Sequence, residues 1–188
     1  MAIGEPIPAG CAWLWPFTIA GARWFSKTIK FFDGNTEMES YALAFALCHG
    51  RSNGAFSFIN DYDNAKNAIL EWANTLYCTS EELAEAICKV LPSNDTVELE
   101  SDEDDEDSSS VNYDDLIASL CLNVGETPQF WAESVSSDYA LKQLDMVRKQ
   151  NLADGKAQDP FDPYIIATRN LGRALIDIKQ KAEANYGE

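Results

Sequence analysis

Apolar positions recur at helical spacing along most of the chain. In "DNAKNAILEWANTLY", Ala65, Ile69, Trp72 and Leu76 fall at i, i+4, i+7 and i+11, one face of a helix. "TEMESYALAFALCHG" is rich in strong helix formers and stops at Gly50. "TSEELAEAICKVLP" opens with Thr79-x-x-Glu82, the signature of a capping box, and ends before Pro92. Further on, Leu116, Ile117, Leu120, Cys121 and Val124 line one face, closed by Gly125. Ser136 or Ser137 then caps a helix that buries Ala140, Leu141, Leu144 and Val147. A last helix starts at Asp162-Pro163 and carries the stripe Ile165, Leu171, Leu175, Ile178 and Ala182.

One stretch follows a different period. In "RWFSKTIKFF", Trp24, Ser26, Thr28 and Lys30 alternate with Phe25, Lys27, Ile29 and Phe31. That spacing predicts a short strand or hairpin ending at the Asp33-Gly34-Asn35 turn. "VELESDEDDEDSSSVN" (97–112) has no apolar period at all. Its charges repel one another, which predicts an extended tether. The fold expected is therefore mostly α. Two small helical subdomains, an aromatic-rich one over 1–94 and a second over 113–188, are joined by an acidic disordered linker over 95–112. A short β-hairpin lies near the N-terminus. No internal repeat is visible.

Composition adds bounds to this picture. A chain of 188 residues, 46% hydrophobic and 11% aromatic, is large enough to build a core. The net charge is −17, and nine of the 31 carboxylates lie between Asp95 and Asp107. Clustered Lys and Arg, which a phosphate backbone requires, are missing, so no nucleic-acid partner is expected. The acid can steer the chain toward basic proteins or simply keep it soluble. The five cysteines, Cys11, Cys48, Cys78, Cys88 and Cys121, form no CxxC pair, and His49 is the single histidine. No zinc site of standard spacing can be assembled from them, and scattered thiols among apolar neighbours suit a reducing cytoplasm. The start "MAIGEPIPAGCAWLWPF" lacks a basic segment, and Pro8, Gly10 and Pro16 interrupt its apolar run. It reads neither as a signal peptide nor as a membrane span.

Candidate chemistry is sparse. Asp114 and Asp115 read more simply as acids complementing a helix dipole than as a catalytic carboxylate pair. Cys48 and His49 are adjacent in a helix and point about 100° apart, a poor geometry for nucleophile and base. "SNGAFSFINDYD" carries carboxylates and amides, but its glycine is misplaced for a calcium loop. No GxGxxG, GxxxxGK[ST], HExxH or GxSxG occurs. These readings predict no catalytic site, no cofactor and no metal. Large rings remain: Trp13, Trp15, Trp24, Trp72 and Trp131 are many for small helical units to bury, and exposed aromatic surface would mark a protein-binding module.

One stretch carries a resemblance. "YDDLIASLCLNVGETPQFWAESVSSDYALKQLDMVRKQ" sets Pro128, Phe130, Trp131 and Ser134 between two helices, the second presenting the 140–144 face. It resembles the helical region of tail assembly chaperones of tailed bacteriophages and prophages. In that pattern Pro128 starts a new turn and the rings clamp two helices across the corner. The acidic tether has no counterpart in it, and the later acidic-aromatic position is here only Tyr139. The resemblance implies a non-catalytic protein of the host cytoplasm that binds the tape measure protein, holds it soluble and helps recruit tail tube subunits. Phe130, Trp131, Leu144 and Trp72 are the residues expected in the core or at the contact. The competing reading is an acidic decoy that sequesters a basic nucleic-acid-binding protein. Salt separates the two, because a decoy complex weakens steeply with ionic strength and an apolar groove does not.

Overall fold

The computed structural model of the chain describes residues 4–32, 35–51, 61–91 and 113–155. Residues 95–112, expected to be a tether, and the helix expected from Asp162 lie outside the described residues, as does the "SNGAFSFIN" part of the rejected calcium loop. The described part is mostly helical, with one short antiparallel hairpin near the N-terminus.

The hairpin is not where the alternating pattern placed it. It pairs β1 (Ile7–Ala9) with β2 (Ala12–Leu14), in a register that sets Ile7 against Leu14 and Ala9 against Ala12. The segment "RWFSKTIKFF" is instead helical: it lies in α1 (Ile19–Thr28) and the 3-10 turn Ile29–Phe31 that continues it. The physical reason is that the segment satisfies both periods. Arg23, Ser26, Lys27 and Lys30, at i, i+3, i+4 and i+7, keep some exposure while Trp24, Phe25 and Thr28 are buried, so the same residues that alternate also form a helical face. Thr18 starts the helix by accepting the Gly21 N–H on its hydroxyl, 3.1 Å away.

The remaining elements follow their sequence signals closely. Helix α2 (Thr36–His49) is capped by Asn35 and ends at Gly50. Helix α3 (Tyr62–Ala73) is capped by Asp61, whose carboxylate accepts the Asn64 N–H at 2.9 Å. Helix α4 (Ser80–Val90) has the expected capping box, with Glu82 accepting the Thr79 N–H at 2.8 Å and Thr79 accepting the Glu82 N–H at 3.2 Å. Beyond the acidic stretch come α5 (Tyr113–Asn123), a π-helical turn at Phe130–Ser134, and α6 (Ser137–Ala153), capped by Ser136.

Whether the two halves pack together could not be read from the sequence. They do, around one core. Buried residues of α1, α2, α3 and α4 join Tyr113, Leu116, Leu120, Trp131, Val135, Ala140 and Leu144 in a single apolar cluster. Helices α1 and α2 approach closely because Gly21 and Gly50 meet: a Cβ on Gly50 would lie 3.2 Å from the Gly21 Cα and 2.7 Å from the Ala46 oxygen. The buried Thr18 hydroxyl bridges the same crossing, donating to the Gly50 carbonyl at 2.7 Å. α1 also packs against the π-helical turn. The backbone N–H of Ser137, at the start of α6, donates to the Phe17 carbonyl at 2.6 Å. Residue 17 therefore helps to orient the corner between α5 and α6.

Candidate partner-binding surface

The corner is built from its local sequence upward. Helix α5 ends in Asn123, and the chain reverses through Gly125 (φ 94°) and Glu126 (φ 70°), both in the left-handed region. Thr127 then accepts the Phe130 N–H at 3.2 Å, so it caps the next turn, with Pro128 at the position where its missing N–H costs nothing. Trp131 is 1% exposed. Its indole N–H donates to the Gly125 carbonyl at 2.7 Å, closing the loop on itself. The Trp131 ring meets Phe130 edge-on at 5.3 Å and stacks against Tyr139 of α6 at 6.5 Å. The chain then extends at Val135, is capped by the Ser136 hydroxyl and enters α6.

The four nominated residues separate by depth. Trp131 and Leu144 (0% exposed) are core and have no surface to offer a partner. Phe130 and Trp72 are half-buried and pack against the core edge. Trp72 belongs to a ring cluster in the first half, 5.4 Å from Phe45 and 6.0 Å from His49, remote in sequence from the corner. Phe130 and Trp131 are thus brought together, while Trp72 belongs to a different part of the core.

Most of the apolar surface lies off the periodic stripes, with Val124 at the end of the α5 stripe as an exception. Leu122 (85% exposed) at the end of α5 and Met146 (62%) on α6 are out of phase with the buried stripes of those helices, and Leu152 is exposed in the last turn of α6. Trp13 (55%) on β2 and Tyr77 (89%) are exposed in the first half, and Tyr77 is held at φ 51°. The available signal for Leu122 and Met146 was phase: each misses the i, i+3, i+4 pattern of its helix.

Beside the corner, α5 and the π-helical turn enclose an open groove of about 630 Å³. Among the described residues its walls are Arg23, Asp114, Ile117, Ala118, Pro128, Gln129, Ala132 and Glu133. Arg23 of α1 grips Asp114 with both terminal guanidinium nitrogens, at 2.7 and 3.0 Å, so this carboxylate ties α5 to α1. Gln129 donates to Glu133 at 3.2 Å along the opposite wall. A smaller cleft of about 370 Å³ lies between the hairpin side and the start of α6, where Lys89 and Lys142 face Glu5 and Asp138. Both lysines are already paired within their own helices, to Glu85 at 2.6 Å and Asp138 at 2.7 Å.

The Cys48–His49 neighbourhood is half-buried. Burial pushes the Cys48 thiol up and His49 down, so both are driven toward their neutral forms, the opposite of a thiolate–imidazolium pair. None of the five cysteines is joined in a disulfide. Among the described residues no group of three or more His, Cys, Asp or Glu side chains is placed to hold a metal ion, and no helix is long and apolar enough to cross a membrane. Comparison with protein-family models, with curated proteins and with solved structures finds no match to this chain.

Proposed function

We propose that this chain is a non-catalytic tail assembly chaperone of a tailed bacteriophage or prophage. It works in the host cytoplasm, holds the long helical tape measure protein soluble and helps bring tail tube subunits to it. The observation that supports the reading is the corner itself. A proline–aromatic turn is locked by Trp131 between α5 and α6, while Leu122 and Met146 on those two helices face solvent. A rigid helical corner with exposed apolar side chains suits a groove for another helix, which covers its own apolar face there. The acid of the chain keeps the complex soluble and steers basic segments toward it.

The test is co-expression with the product of a long, helix-rich reading frame directly downstream of the gene. The proposal expects that product to move from the pellet to the soluble fraction, and to stay bound when salt is raised from about 0.05 to 0.5 M, where the screening length shrinks severalfold. Equal insolubility with and without this chain sinks the proposal. Loss of the complex at high salt favours the acidic decoy instead.

A further inference from the structure

The tip of the hairpin brings two cysteines to one place. Cys11 follows Gly10 in the turn between β1 and β2, and Cys78 ends the loop between α3 and α4, one residue before the Thr79 cap. They are far apart in sequence, yet three contacts join their neighbourhoods. The Cys11 N–H donates to the Leu76 carbonyl at 3.0 Å, and its thiol donates to the Thr75 carbonyl at 2.7 Å. A Cβ on Gly10 would lie 3.2 Å from the Cys78 Cβ, so the Cys78 side chain rests against the hairpin backbone one residue before Cys11. Tyr77, between Leu76 and Cys78, is held at φ 51°, a conformation that a tyrosine keeps only where its surroundings impose it.

Access differs between the two thiols. Cys11 is exposed and Cys78 half-buried. Burial, then the Glu82 carboxylate and Cys11 itself, push the Cys78 thiol up. Cys11 is therefore the thiol that an oxidant meets first, and Cys78 is the neighbour placed to resolve it. Cys48 also lies near Cys11, but it is half-buried beside Trp72 and the Trp13 backbone, and burial pushes its thiol up as well.

We infer that Cys11 and Cys78 form a redox-responsive pair, which a low-molecular-weight disulfide such as oxidised glutathione closes into a disulfide within the chain. The Cys11 thiolate attacks one sulfur of the small disulfide, forming a mixed disulfide and releasing one thiolate. The Cys78 thiolate then attacks the Cys11 sulfur and releases the second. Two protein thiols are oxidised, the small disulfide is reduced to two thiols, and the two protein protons leave with them. The bridge fastens the hairpin to the start of α4, where the reduced chain relies on hydrogen bonds and on the fit of Gly10 against Leu76. It closes a long loop, from residue 11 to residue 78, and so stabilises chiefly by restricting the unfolded chain. The pair is independent of the chaperone reading.

The test uses the full-length chain, incubated with glutathione buffers of increasing oxidised fraction. Remaining thiols are blocked with N-ethylmaleimide, and the chain is digested without reduction for mass spectrometry. The Cys11–Cys78 cross-linked peptide is expected as the main protein disulfide, lost again on adding dithiothreitol. Cys78→Ser is expected to trap Cys11 as its glutathione adduct. Cys11→Ser keeps a hydroxyl to donate to Thr75 and should lower modification of Cys78 at least about tenfold, since the oxidant enters through the exposed thiol. The bridged protein should melt about 5 °C or more above the reduced one, a gain that both serine variants lack. In urea the preference of Cys11 for Cys78 should disappear, because the fold is what brings them together.

A wild-type chain whose Cys11 stays a glutathione adduct, or pairs with Cys48 or with a second molecule, overturns the inference. So does a bridged protein that melts below the reduced one, because the thiols would then meet only by distorting the docked hairpin. Should either serine variant fail to fold, the peptide map and melting shift of the wild-type chain decide alone.

Discussion

Trp131 is held by a hydrogen bond to Gly125, a ring on either side and almost complete burial. Trp131→Ala removes all of these at once and is expected to cost about 3–5 kcal/mol, read as a drop in the urea midpoint at constant slope. Phe130→Ala, at a half-buried position, should cost clearly less. Similar losses for both would contradict the depth assigned to each ring. The sequence carried the corner but not this ranking, because periodicity reports which face of an element is apolar and says nothing of how far in a residue sits. Sequence alone therefore places Trp131 and Leu144 beside Trp72 and Phe130, which lie nearer the surface. His49 offers a second test at this scale. Its ring lies 4.4 Å from Phe45 and 6.0 Å from Trp72, and burial lowers its pKa. As the single histidine it gives one resolvable NMR titration, expected to have its midpoint below the unperturbed value of about 6.5. A lowered folded-state pKa means that the unfolded chain takes up the proton first. The stabilising contribution is then present above the unfolded pKa and is lost as pH falls from there toward the folded pKa. His49→Phe should remove that part of the acid destabilisation. A midpoint at or above the unperturbed value would refute the buried neutral ring.

At the level of elements, legibility tracked whether one period or a clear end signal stood out; α2 is largely buried and still announces itself by its helix formers and by Gly50. Helices α3 and α4 each present a mixed surface, so their stripes stand out in the sequence, and α4 starts at the capping box its signal marks, while α3 starts just before the striped segment, capped by Asp61. Helix α1 buries most of its length, and its aromatic and β-branched residues imitate strand alternation. The real hairpin was hidden for another reason. Its strands are three residues each, too short for a period, and they are held by contacts distant in sequence: Cys11 N–H donates to the Leu76 carbonyl at 3.0 Å, and Trp15 N–H to Leu47 at 3.1 Å. Gly10 forms the tip of that dock. It sits at φ 58°, and a Cβ there would lie 1.7 Å from the Leu76 oxygen, an overlap with backbone that no rotamer relieves. Gly10→Ala is thus expected to cost more than the roughly 1–2 kcal/mol of the left-handed backbone alone, because the hairpin must lift from the loop before α4. Thr79→Ala removes one half of the α4 capping box and should cost only about 1 kcal/mol. Thermal unfolding of the two variants checks the order, and a Gly10→Ala protein as stable as Thr79→Ala would mean that the hairpin is not docked as described.

For the whole molecule the decisive question is whether the segments before and after the acidic stretch unfold together. Among the described residues, the polar ties that join them include the Arg23–Asp114 pair and the bond from Ser137 to Phe17. The ion pair is exposed at both partners, and pairs of that kind contribute about 0.2–1 kcal/mol. It positions α5 but cannot hold the halves against independent opening. The shared core can. Leu116 and Leu120 of α5 are fully buried in the same cluster as Ala22, Phe25, Leu47 and Ile69. Leu120→Ala should therefore cost about 2–5 kcal/mol, and the loss should be felt on both sides of the acidic stretch. Amide exchange measured by mass spectrometry makes this visible. In a single cooperative unit the slowest amides of α1 and α2 speed up along with those of α5 and α6, since all of them exchange through the same global opening. Arg23→Ala should leave those rates nearly unchanged. If Leu120→Ala accelerates only α5 and α6 while α1 and α2 keep their protection, the halves are separate folding units. The Arg23–Asp114 pair would then break whenever the second unit opens, and the groove that α5 walls would change shape with it.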